Sequence, residues 1–110
     1  MTNFFKVSLL LLLFSANAVA DCGGHSCTDV SISRLIVEAN GDAVISTSGD
    51  ESKLDCDAGR NGYIRLSTES KNYQATYALL LSAHTLESPL WIRTNDGANS
   101  CQLVYVVSDK

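Results

Sequence analysis

Cys22, His25 and Cys27 fall within the short run DCGGHSC. These side-chain types can bind zinc, run thiol–disulfide exchange or staple a loop. Structural zinc takes four ligands in paired short spacings, and no second matching pair follows. His84 is the only other histidine, and it falls in a predicted helix. Redox cysteines use a Cys-x-x-Cys spacing at a helix start, whereas four residues separate Cys22 from Cys27. The staple is the favoured reading. The chain has four cysteines, Cys22, Cys27, Cys56 and Cys101, and an even count in an exported chain is the signature of disulfides. Three pairings are open. Cys22–Cys27 with Cys56–Cys101 is favoured: Gly23 and Gly24 make the first loop flexible, and the second bond ties a mid-chain loop to the last strand. That longer closure removes about 4 kcal/mol of unfolded-state entropy in the simple loop model.

Other chemistry finds little support. His84 cannot pair with Ser82, because residues two apart on a helix face different ways. No Gly-x-Ser-x-Gly, His-Glu-x-x-His or phosphate-loop motif occurs. Asp55 and Asp57 flank Cys56, but the string lacks the oxygen ligands of a calcium loop. A hydrolase centred on His25 or His84 is therefore the weakest reading. The expectation is a protein without enzymatic activity, cofactor or metal.

The elements that must position these residues begin after an export signal. Residues 1–20, MTNFFKVSLLLLLFSANAVA, combine Lys6, a short apolar run and the small-x-small triplet Ala18-Val19-Ala20. The run is too short for a membrane span, and Asp21 before Cys22 disfavours a lipid anchor. Ala16-Asn17-Ala18 offers a second cleavage site. Residues 21–110 then form one domain, secreted or periplasmic and without a membrane span. Loss of Lys6 leaves seven Lys and Arg against twelve Asp and Glu, a balance that excludes a nucleic-acid partner. A domain of this size buries a modest core and gains from covalent staples.

Apolar alternation predicts a long first strand in DVSISRLIVEAN, with a bulge near Arg34 where the inward phase shifts. Asn40-Gly41 predicts a type I′ hairpin turn, Ala43 to Thr47 the return strand, and YIRLS a third. NYQATYALLLSAHTL has helical spacing: Tyr73, Tyr77, Leu80, Leu81 and His84 recur on one face, and Ala75, Ala78, Leu79, Ala83 and Leu86 widen it, with Ser70 or Asn72 as the cap and Pro89 at the end. LWIRT and CQLVYVV are the last two strands. The expected fold is mainly β (α+β), a five-stranded OB-fold-like Greek-key barrel with one helix between strands three and four and two disulfides. An open sheet with the helix on one face is the alternative.

Trp91 lies opposite in phase to Leu90 and Ile92. If those two point inward, Trp91 points outward beside Arg93, and both are residue types enriched at binding hot spots. ISRL on the first strand, YALLLSAHTLESPLWIR across helix and fourth strand, and the late cysteine together resemble the B subunits of pentameric bacterial toxins, the subtilase-cytotoxin and typhoid-toxin group. The resemblance implies an exported OB-fold subunit that binds a cell-surface glycan, with a homo-oligomer (a ring of five) and an enzymatic A subunit as partners. It also implies a sugar-contacting hydroxyl at Thr28, followed by Asp29. Where the typhoid-toxin type has aromatic residues just before that position, this chain has Ser26 and Cys27. The expected ligand-binding residues are thus Thr28, Trp91 and Arg93, for a glycan or a protein surface. The alternative function is a secreted or periplasmic accessory or inhibitor that docks a protein through the same barrel.

Overall fold

The computed structural model describes residues 19–109. The predicted signal lies outside them, apart from Val19 and Ala20. The elements are β1 (Asp21–Gly23), β2 (Ser26–Val30), β3 (Ile32–Val37), β4 (Ala43–Thr47), a 3-10 turn (Glu51–Lys53), β5 (Ile64–Leu66), α1 (Tyr73–Leu86), β6 (Leu90–Thr94) and β7 (Cys101–Val107). They form one curled sheet in the order β1-β2-β6-β7-β5-β4-β3. Its ladders are antiparallel except for β5 and β7, which run parallel.

Two expectations need correction. The sheet has seven strands rather than five, and the helix follows the fifth strand rather than the third. Both differences arise before β4. The predicted first strand breaks at Ser31, because its two halves serve different partners: β2 pairs with β6 and β3 with β4. Ser31 leaves the ladder, donating its N–H to Ser48 Oγ (3.0 Å) and accepting from Ser48 N–H (2.9 Å). The other added strand is β1, which forms a hairpin with β2 around Gly24 and His25 and places Cys22 directly across from Cys27. The bulge expected near Arg34 is present as a register shift between Ile32 and Arg34.

The β3–β4 turn is also of another type. Glu38 C=O accepts from Gly41 N–H (2.9 Å), and Gly41 alone takes a positive φ, of 93°. That is the longer hairpin closed by a left-handed glycine, not the I′ turn that would put Asn40 in the same region.

Ile45, Ile64, Leu66, Leu80, Leu90 and Ile92 are fully buried and fill the concave side of the sheet. From α1, Thr76, Leu80 and Ala83 are buried, while Tyr73 and Tyr77 stack with ring centroids 6.0 Å apart. His84 Nδ1 lies 3.2 Å from the carbonyl oxygen of Ile32, which pins the helix to β3. Asn72 occupies the N-cap position without a side-chain cap bond. Glu87 ends the helix in the left-handed region and Ser88 N–H returns to Ala83 C=O (3.0 Å), just ahead of Pro89. Leu81 and Leu86, read as part of the apolar face, are exposed, as is Val37 on β3.

The disulfides are Cys22–Cys27 and Cys56–Cys101, with Cα atoms 3.9 and 5.0 Å apart. All four cysteines are buried. No helix among the described residues is long and apolar enough to cross a membrane.

Candidate functional site

Strand β6 sets the site. Leu90, Ile92 and Thr94 are buried while Trp91 and Arg93 are half-buried, so the outward phase expected for Trp91 and Arg93 is the one adopted. Both side chains stand on the convex face of the sheet.

The strands on either side of β6 are each distorted where they pass it. On β2, Cys27 pairs with Ile92 and Val30 with Leu90, so Thr28 and Asp29 together oppose Trp91 alone. This is a β-bulge, and its second residue, Asp29, is left-handed with φ 55°. A bulge re-aims side chains; here Thr28 and Asp29 are both exposed. On β7, Thr94 pairs with Leu103 and Arg93 with Tyr105, which leaves Val104 as the extra residue. The phase flips there and Tyr105 joins the convex face. Its ring stacks on Trp91 with centroids 5.4 Å apart and planes inclined by 22°.

Between the β2 bulge and Trp91 lies an open cavity of about 360 Å³. Its walls come from Thr28 and Asp29, from Pro89 and Trp91, and from Val107 and Asp109. Two of the expected binding residues, Thr28 and Trp91, therefore meet in one cavity. Arg93 shares their face but not their cavity, and its Nη2 lies 3.8 Å from Asp96 Oδ1. The arrangement offers an aromatic surface, a hydroxyl that both donates and accepts, and two carboxylates that accept.

Sequence reasoning missed Asp109 and the role of Tyr105, and it met Asp29 only as the neighbour of Thr28. An aspartate at a strand start was the one available signal for the bulge, since Asp tolerates left-handed backbone better than most residues. Val104 carried no such mark.

A second polar cluster closes one end of the sheet. His25 Nδ1 lies 2.7 Å from Asp96 Oδ1 and 3.3 Å from Asp55 Oδ2. Neither contact has hydrogen-bond geometry, and the buried Nδ1 has no hydrogen-bond partner among the described residues. The carbonyl oxygen of His25 accepts from Thr94 N–H (2.7 Å) and Thr94 Oγ1 (3.2 Å). The β1–β2 turn, the Asp55 loop and the β6–β7 turn are joined in this way. Cys22 and Cys27 bond each other and have no thiolate to offer beside His25. Asp57 accepts from Gly59 N–H (2.8 Å).

Neither a protein-family model nor a curated protein matches the chain.

Proposed function

We propose that this chain is a secreted, non-enzymatic bacterial binding protein, similar to a toxin B subunit, that holds a glycan against Trp91. The observation that carries the reading is the meeting of Thr28 and Trp91 in one open cavity on the convex face. A sugar ring has an apolar face that packs on an indole and a rim of hydroxyls that need acceptors and donors. Trp91 supplies the first; Thr28, Asp29 and Asp109 supply the second.

The strand pairing supports an OB-like build for this protein. If β2 and β3 count as one strand bent at Ser31, and β1 as its appended hairpin, five strands remain. The first then pairs with the second and fourth, the second with the third, and the fifth with the fourth and, in parallel, the third. Counted in this way, the pairing order accords with a Greek-key barrel of the OB type. Two buried disulfides accord with an oxidising compartment, and residues 1–20 with export through it. The ring of five and an enzymatic A subunit are carried by the resemblance.

Exported protein probed on a glycan array, with its mass measured by sedimentation, tests the reading. Bound glycans that are lost in Trp91→Ala support it, and a blank array overturns it. One observation favours docking of a protein instead: α1 has no Asp, Glu, Lys or Arg in fourteen residues, yet exposes Leu81 and Leu86. A partner recovered by pull-down from periplasm and lost in Leu81→Asp would favour that second reading.

A further inference from the structure

The charges around the cavity narrow the class of sugar. Asp29 and Asp109 line it, and no Lys, Arg or His does so among the described residues. The cation on the same face, Arg93, stands outside the cavity beside Asp96. Neither Asp29 nor Asp109 has a salt-bridge partner among the described residues. Backbone geometry does not call for a charge at the bulge either, because asparagine adopts the left-handed conformation as readily as aspartate.

We propose that the Trp91 cavity selects uncharged sugars, and that Asp29 and Asp109 make it reject acidic ones. This rests on the glycan reading of the same site. A carboxylate only accepts hydrogen bonds, so two of them suit a ligand edge made of O–H donors. A sialic-acid carboxylate or a sugar sulfate would set acceptor against acceptor and like charge against like charge. Such juxtaposition is how a site discriminates between ligands of similar shape. With Trp91 holding the apolar face of either ligand equally, the selection falls to the two aspartates.

Trp91 is the only tryptophan of the chain, so its fluorescence reports directly on the cavity. The test titrates the exported protein with N-acetyllactosamine and with the same disaccharide capped by sialic acid or by sulfate. The neutral sugar is expected to shift Trp91 emission and to bind about tenfold or more tightly than either acidic form at low salt. The gap should shrink at about 0.5 M NaCl, where the charges are screened. In Asp29→Asn/Asp109→Asn, checked for folding by circular dichroism, it should fall to within about threefold. Equal or tighter binding of the acidic sugars overturns the selection rule and leaves the glycan reading standing. Undiminished selection in the double variant overturns the assignment to these two carboxylates. Absence of binding by all three ligands and across a wider array of neutral and acidic glycans overturns the glycan reading and the inference with it.

Discussion

Trp91 stacks on Tyr105 diagonally across the β6–β7 ladder, for the residues directly opposite are Val107 and Tyr105's own partner Arg93. The contact depends on Val104. Without that extra residue Tyr105 would return to the concave side and one face of the indole would lose its support. A stacked aromatic pair contributes about 0.5–1.5 kcal/mol beyond its buried area. Tyr105→Ala should therefore lower unfolding free energy by at least about that amount and weaken sugar binding several-fold, with Trp91→Ala abolishing binding. Fluorescence titration and urea unfolding of the two variants check this. A Tyr105→Ala protein with full affinity would mean that the indole needs no backing ring.

The two disulfides should contribute unequally. Cys56–Cys101 closes a span of 45 residues and Cys22–Cys27 one of 5. In the loop-entropy model these remove about 4 and about 2 kcal/mol from the unfolded state's advantage. Urea unfolding of Cys56→Ala/Cys101→Ala should show roughly twice the loss seen in Cys22→Ala/Cys27→Ala. The longer bond also anchors the start of β7 beside β5, where Cys101 pairs with Ile64. A larger loss from the short hairpin would contradict the entropic account.

Acid should destabilise the fold through Asp42 and Asp50. The Thr68 N–H, at 2.9 Å, chiefly holds the Asp42 carboxyl below its ordinary 3.8, with help from Asn40 and Arg65 and against burial. The Ser52 hydroxyl, followed by its N–H, lowers Asp50 in the same way. A carboxyl lowered on folding stabilises fully above its unfolded value, about 4, and loses that contribution as pH falls through the lower folded value. The urea midpoint should hold steady from neutral pH down to about 5 and then decline below about 4. Asp42→Asn should be less stable at neutral pH and show a shallower acid decline. An unchanged acid limb in that variant would assign the effect elsewhere.

Much of this architecture could be read from residue order, and what escaped has a common physical origin. LWIRT alternates, so Trp91 and Arg93 share one face whichever phase is inward, and the burial of Leu90 and Ile92 decides that it is the outer one. The cysteines needed only their compartment and their spacing. The break at Ser31 and the bulges at Asp29 and Val104 are different, because each depends on how a strand falls in step with its partners. A shift of apolar phase marks the bulge at Arg34, but no such shift marks these three. They are nonetheless what brings Thr28, Asp29 and Tyr105 to the Trp91 face. On α1, the absence of charge left no mark of which apolar residues face water, and so Leu81 and Leu86 were misplaced.

Gly62 and Gly59 offer a paired test of the buried carboxylate that fastens the long connection after β4. Glu51 is 8% exposed, and its Oε2 accepts from Thr47 N–H (2.7 Å) and Thr47 Oγ1 (3.1 Å). A methyl group at Gly62 would come within 2.8 Å of Glu51 Oε1, whereas one at Gly59 would meet nothing within 4 Å. The two glycines have nearly the same left-handed φ, 68° and 71°. Backbone strain from alanine, about 1–2 kcal/mol, is thus common to both. Gly62→Ala must in addition displace a carboxylate whose hydrogen bonds keep it satisfied while buried, a further loss of about 1–3 kcal/mol. Urea unfolding should rank the variants wild type, Gly59→Ala, Gly62→Ala in falling stability. In a Glu51→Gln background the gap between the two glycine variants should narrow, because the wild-type acceptor pattern is already disturbed. Equal losses at the two positions would show that Glu51 yields without resistance and does not hold the connection.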